Sequence, residues 1–453
     1  MRSGGGHRLI GHANPAAAVA YRPDGPVPAD AFLRDVAGLA KALPADKDVL
    51  NLCEDRYRFA VTFAAVALAG RTCLLPQNRT PRTLEQVAEA HPDAIAIAEE
   101  IIADCPMPLV RYETICNPVA NTPEVPKIDP DRVVAVVFTS GSTGVPKSNA
   151  KRWGMLAAGA AAEQEALQLA GPANFLGTVP PQHMYGFEST ILLPLQTGGA
   201  FHSGRPLYPN DVAEALSQMP SPRVLVTAPI HIRACLESDT RFPDVALIVS
   251  AAAPLSVALA GEAERRYATT VREIYGFTEA GQVAVRRTIE DGPWNTFRDV
   301  SLVNASGEWS FCGGHIDSVQ IATDLIVAHG PTSFSLQGRR EDVVNVAGKR
   351  ASLADLSFKL TEIHGVIDGV FHVPDSAHGA VPRPMAFVVA PGFTPAALRR
   401  ALRARIDAAF LPRPLVFVDS LPRTAAGKLP METLRALERE YAQVALDRKR
   451  SRD

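Results

Sequence analysis

VVAVVFTSGSTGVPK, from Val133 to Lys147, is the stretch on which the fold turns: an apolar run rich in β-branched residues passes into a loop of small and hydroxyl residues that ends in Pro-Lys. The run VVAVVF has the length and composition of a buried strand. Small residues such as Gly141 and Gly144 let several backbone N–H groups converge on one anion without side-chain clash. The hydroxyls of Thr139, Ser140, Ser142 and Thr143 and the ammonium of Lys147 add further donors, so the loop reads as a phosphate cradle. A Walker A loop is the obvious competitor, and counting from Gly141 places Lys147 and Ser148 correctly for it. Pro146 breaks that match, because it has no N–H and a fixed φ where the Walker loop needs a glycine. A flexible Ser/Gly linker is disfavoured too, since linkers rarely follow a buried strand or end in Pro-Lys.

Outward from this loop, from about residue 29 to residue 280, strand-like runs alternate with helical patterns. DVLNLC, TCLLP and AIAIA are separated by RYRFAVTFAAVALAG and by a polar helix around Leu84 to Ala90. After a proline-rich stretch near Pro118 to Pro130 the pattern resumes with NFLGTVP, RVLVTAP, ALIVSA and TVREIYG. Such alternation predicts an α/β fold with a parallel, doubly wound sheet. Ligands of such sheets sit at the carboxyl ends of the strands, where Thr139, Pro180, Pro229, Ala251 and Tyr275 all fall, so one cleft is expected to collect them. Past residue 300 the runs EWSF, SVQIA, DLIVAH and SFSLQ predict a β subdomain. A charged turn, GRRED at Gly338 to Asp342, marks a boundary. The expected organisation is a large N-terminal domain, residues 1–337, and a small α+β C-terminal domain, residues 338–453.

Composition narrows the function classes. The 453 residues are 47% hydrophobic and 21% charged, with a formal net charge of -2, which gives no global reason for nucleic acid or a membrane surface as partner. The six cysteines are scattered without metal-ligand spacing, as expected of reduced thiols in a cytoplasmic protein. The N-terminal residues lack the apolar core of a signal peptide, and the longest apolar run, Phe59 to Gly70, reads as a buried helix. Arg399, Arg400, Arg403 and Arg405 fall on a helical pattern that reads as a solvated face.

Further motifs follow the loop in order: PPQHMYG (Pro180 to Gly186), SAAAPLS (Ser250 to Ser256), YGFTE (Tyr275 to Glu279), the triplet Ala322-Thr323-Asp324, GRREDVVNVAGKR (Gly338 to Arg350) and LPRTAAGK (Leu421 to Lys428). From Val133 onward this series resembles the acyl-adenylate-forming superfamily of AMP-dependent synthetases and ligases, which includes acyl-CoA synthetases, luciferases and adenylation domains. The resemblance implies that TSGSTGVPK wraps the β- and γ-phosphates of ATP, with Thr143 and Glu279 near magnesium. It implies Tyr275 against adenine, Thr278 near the α-phosphate, Asp324 and Arg339 on ribose, and Arg350 close to phosphate. Lys428 matches the family's catalytic lysine, Gly348 the opening of the thiol tunnel, and Glu341 a hinge at residues 339–342 about which a mobile lid domain turns. The resemblance also implies that His183 borders the acyl pocket with Ala251, Ala252 and Ala253; relatives carry a glycine pair in place of the first two, so the added methyls are expected to narrow it. Relatives carry TGD where this chain has Ala322-Thr323-Asp324, so the family's glycine is missing there.

The chemistry explains the residue types. A carboxylate attacking an α-phosphate meets like charge, so catalysis rests on positioning and on neutralisation by Lys, Arg and Mg²⁺ away from water. The resulting acyl-adenylate is open to attack by a thiol, either that of coenzyme A or the phosphopantetheine of an acyl carrier protein. Amino-acid-activating relatives place an Asp where His183 stands, which disfavours an amino acid. The string VPPQHMYGFES resembles ligases that load aryl acids onto carrier proteins in aryl polyene or xanthomonadin-type pathways. A medium-chain fatty acyl-CoA synthetase is the nearest alternative. A non-catalytic, nucleotide-binding regulatory homologue is the alternative from another class; retention of Lys147, Glu279, Arg339 and Lys428 argues against it.

Overall fold

The computed structural model describes residues 6–76, 78–139, 147–305, 307–339, 343–346, 349–374, 384–424 and 429–450. The chain divides into two compact units, Met1–Ile321 with Gly330–Ser333, and Ala322–His329 with Phe334–Asp453.

In the first unit the apolar run before the glycine/serine loop is the strand Val133–Thr139, buried from Val134 to Phe138. It belongs to a six-stranded sheet in the order Lys147–Arg152, Val133–Thr139, Cys73–Leu75, Val49–Asn51, Ile95–Ala98, Leu109–Arg111. All neighbours run parallel except Lys147–Arg152, which turns back antiparallel on Val133–Thr139 with Lys147 opposite Thr139. Residues 140–146 therefore join two strands of a hairpin. A Walker loop instead feeds a helix, so the topology agrees with the exclusion drawn from Pro146.

A second sheet runs through Gly25–Pro28, Ala18–Arg22, Ala200–His202, Asn174–Gly177, Arg223–Thr227, Leu247–Ser250 and Thr270–Phe277, then Gly281–Arg286 and Trp294–Thr296. From Ala18–Arg22 to Thr270–Phe277 the pairing is parallel, for example Leu225 beside Ile248, and the strand Gly281–Arg286 folds back antiparallel on Thr270–Phe277. The strand and helix alternation read from the sequence is all present, but it builds two sheets where one was expected. The physical reason is the polar strand KSNAKR, whose alternating burial suits a sheet edge and closes the first sheet there.

The helix Arg56–Leu68 is buried on all sides, as its apolar sequence requires, and Asp55 caps it by accepting from Arg58 N at 2.9 Å. Arg56 at its start is fully buried. Its guanidinium donates to Thr190 Oγ1 and to the carbonyls of Gly177, Val179, His202 and Gly204. One side chain thus ties this helix of the first sheet to strand ends of the second, and its loss would leave several buried carbonyls unpaired. The strands Val300–Ala305, Glu308–Gly313 and Ile316–Ile321 form a small antiparallel sheet that holds EWSF and SVQIA of the four runs expected in a β subdomain; DLIVAH and SFSLQ are strands outside it, Asp324–Gly330 and Ser333–Arg339.

The second unit is α+β. Val343–Val346 pairs with Lys349–Ser352, and Ser352 caps the helix Leu353–Thr361. Asp368–His372, Met385–Val389 and Leu415–Phe417 form a mixed sheet. Leu356, Leu360, Phe371, Val388, Leu398 and Leu402 meet in one core on it, and Phe387, Leu421 and Leu434 in another. Among the described residues no helix is long and apolar enough to cross a membrane.

Candidate active site

Two motifs far apart in sequence meet at the mouth of the glycine/serine hairpin. Lys147, at the first position of the returning strand, donates from Nζ to Glu279 Oε1 at 3.2 Å. Lys147 is 64% exposed and Glu279 23%. An exposed ammonium beside a partly covered carboxylate is a weak ion pair, free to reorganise around a third charged group. Thr139 Oγ1 donates to the Lys147 carbonyl at 3.4 Å and closes the hairpin neck. Ser140, Gly141, Ser142, Thr143 and Gly144 lie outside the described residues.

Tyr275 and Thr278 come from the strand Thr270–Phe277 and the turn that follows it. The Tyr275 ring is largely covered, with ring centroids of Trp294 and Phe311 5.7 and 6.0 Å away. A β-bulge between Tyr275 and Gly276 redirects the chain into the turn. The turn carbonyls of Thr278 and Glu279 accept from the buried Lys151 Nζ. Behind the turn lies a buried polar group that the sequence motifs did not single out. Gln282 Nε2 donates to Ser189 Oγ at 2.8 Å, and Ser189 donates to Glu163 Oε1 at 2.6 Å. Burial pushes the Glu163 carboxyl up to about 8, and burial also raises Glu188. The sequence offers one faint signal for Glu188, a single carboxylate in the apolar run MYGFESTILLPL, and none for Lys151, whose burial shows only in the structure.

His183 is half-buried at the N-cap of the short helix Met184–Phe187. The PPQHMYG segment folds tightly because Gly186 packs on the Pro180 carbonyl, where an added Cβ would lie 2.0 Å from that oxygen. Tyr185 OH donates towards the carbonyls of Thr227 and Val249, at 3.1 and 2.9 Å. Ala251 N donates to the same Thr227 carbonyl at 3.4 Å, so the His183 segment and the Ala251–Ala253 turn share one anchor. Ala252 holds φ +71, a conformation that favours glycine. Thr178 Oγ1 lies 2.8 Å from Thr227 Oγ1 and 2.7 Å from His231 Nδ1. Burial, then the charge of Arg205, lowers the His231 pKa from its ordinary value. A cavity of about 290 Å³ opens beside this segment, lined by Glu54, Asp55, Pro181, Gln182 and residues 203–205.

In the second unit Asp324 begins the strand Asp324–Gly330 and accepts from Thr323 Oγ1 at 3.1 Å. Arg339 ends the strand Ser333–Arg339, and Arg350 lies in Lys349–Ser352. Glu341, Gly348 and Lys428 lie outside the described residues.

Parallel strands with Lys147 and Glu279 in contact near their ends make an α/β frame of the kind that binds ligands at the carboxyl ends of its strands. Residues 37–306 match the AMP-binding enzyme family, and residues 361–428 match the AMP-binding enzyme C-terminal domain. The chain belongs to this family, the acyl-adenylate-forming superfamily. It is 30% identical over 300 residues to 4-coumarate–CoA ligase of Rhodobacter capsulatus, covering 65% of this chain and 74% of that protein. In fold it is similar to an anthranilate CoA ligase in complex with anthranoyl-AMP, with a TM-score of 0.81 at 17% identity over 96% of this chain and 95% of that one. It is likewise similar to o-succinylbenzoate coenzyme A synthetase of Bacillus subtilis in complex with ATP and magnesium ion, with a TM-score of 0.80 at 16% identity over 92% and 96% of the two chains.

Proposed function

We propose that this chain is an ATP-dependent ligase that adenylates an aryl carboxylic acid, releases pyrophosphate and passes the acyl group to a thiol. The observation that carries the reading is the contact of Lys147 with Glu279, which sets a cation and an oxygen ligand together at the mouth of a donor-rich hairpin. Those groups fit Mg·ATP: Mg²⁺ takes one or two carboxylates with substrate phosphates, and an exposed ammonium neutralises phosphate oxygens. In this reading Thr139 to Lys147 hold the β- and γ-phosphates, and Glu279 with Thr143 holds the magnesium. Bound there, the ion offsets charge that builds up on the leaving pyrophosphate.

Tyr275 borders the base and Thr278 the α-phosphate, while Asp324 and Arg339 hold ribose. Lys428 and Arg350 reach the reacting phosphate, so that the acid's carboxylate meets less repulsion as its oxygen bonds to phosphorus and pyrophosphate departs. His183 and Ala251 to Ala253 line the acyl pocket. Residues 338–453 then act as the lid, turning about Glu341 to bring Gly348 to the thiol path.

Support for an aryl acid comes from the relatives, whose names specify coumarate and anthranilate. Incubation with Mg·ATP, hydroxybenzoates and, in competition, coenzyme A and phosphopantetheinylated carrier proteins tests the reading. An aryl thioester with AMP as co-product is the expected result, and the favoured acceptor is the one that accumulates it. A preference for medium-chain fatty acids overturns the acyl assignment.

A further inference from the structure

The buried polar groups behind the Thr278 to Gln282 turn have no part in the chemistry above. Lys151 is only 1% exposed. A lysine at such depth either loses its charge or is held by partners. Its Nζ donates to the Thr278 and Glu279 carbonyls, the latter at 3.0 Å. The other end of the turn is held by a buried acid: Gln282 N donates to Glu188 Oε1 at 3.4 Å. Gly281, at φ +81, lets that carboxylate approach, since a Cβ there would lie 2.6 Å from Glu188 Oε1. Glu188 exerts the largest attraction on Lys151, ahead of Glu279 and Asp317. It opens a π-helical turn, Glu188–Leu192, a geometry frequent at functional sites.

Lys147 and Lys151 lie four residues apart on one strand and so share a face. The first reaches the Glu279 carboxylate and the second its carbonyl, so one strand grips that residue by side chain and main chain together. The exposed Lys147 ammonium is a poor anchor for direction, whereas the buried Lys151 is a rigid one. We propose that Lys151 is a positioning residue for adenylation: by clamping the Thr278 and Glu279 carbonyls to the returning strand of the hairpin, it sets the direction in which the Glu279 carboxylate meets the metal and phosphates. The proposal rests on the reading of Glu279 as the magnesium ligand.

The test is pyrophosphate release by the full chain with a saturating acid, titrated with Mg²⁺ at fixed ATP, for wild type, Lys151→Met, Lys151→Arg and Phe32→Leu. Phe32 is a fully buried core residue outside the site and reports the effect of lost stability alone. For Lys151→Met the half-saturating Mg²⁺ is expected to rise about 5-fold and the maximal rate to fall about 10-fold, the loss of two buried hydrogen bonds to a charged donor. Lys151→Arg, which keeps the buried cation, is expected to recover most of the shift, and Phe32→Leu to lower the melting temperature with no shift. A folded Lys151→Met with wild-type magnesium dependence and rate overturns the proposal. Should Lys151→Met not fold, Glu188→Gln decides: a shift of about 3-fold is expected from the lost counter-charge, and none overturns it. If wild type releases no pyrophosphate with any acid, the ligase reading fails. The Mg²⁺ dependence of ATP binding to the same variants then decides the role of Lys151, with the same shift expected and its absence contradictory.

Discussion

Ala252 carries a methyl group in a left-handed backbone, φ +71, that favours glycine. Ala252→Gly is expected to raise the unfolding free energy by roughly 0.5–1 kcal/mol, the relief of left-handed strain exceeding the entropy that glycine adds to the unfolded chain. Urea denaturation with an unchanged m-value measures this, and a loss of stability would show that the methyl makes a compensating contact. The alanines at 251 and 252 were legible in the sequence as departures, but the φ at 252 was not, because no composition rule reports a dihedral. Lys151 and Glu188 show their roles only where strand Lys147–Arg152 and the Thr278 to Gln282 turn lie side by side.

At the scale of elements, the helix Trp153–Ala166 carries Glu163 into the core, where it accepts from Ser189 on the π-helical turn. Burial is the main cause that raises its carboxyl to about 8, opposed by the Ser189 and Gln282 hydrogen bonds. The folded protein therefore holds this proton more tightly than the unfolded chain, whose carboxyl titrates near its ordinary value. The group's contribution to stability is complete at low pH and is lost as pH rises towards and through 8, because the unfolded carboxyl ionises first, so folding must take up a proton or, above 8, bury a charge. Glu163→Gln, which keeps the acceptor and removes the titration, is expected to melt increasingly above wild type from pH 5 to pH 9. Parallel melting curves across that range would remove Glu163 from the pH dependence.

Elements themselves were the most legible level. DVLNLC, RVLVTAP and ALIVSA read as strands because buried parallel strands are continuous apolar runs, and they are strands. The split into two sheets was not legible, since local sequence says which residues extend but not which edge they join. The polar composition of KSNAKR suits an edge, but its alternation is one of burial and appears only in the structure.

For the whole molecule, the order of motifs was enough to place the chain in its family, and the two family matches fall one in each structural unit. The division of labour between the units is proposed from the chemistry. If Lys428 serves only the adenylation step, Lys428→Ala is expected to lose acyl-AMP formation by orders of magnitude while still passing a preformed acyl-adenylate to a thiol; equal loss of both half-reactions contradicts the role. The most direct measurement is pyrophosphate release from Mg·ATP by the purified chain, without thiol, across aryl, fatty and amino acids. Release that requires an aryl acid, with acyl-AMP recovered in a single turnover, is the expected result. ATP binding with no release on any acid would contradict the central claim.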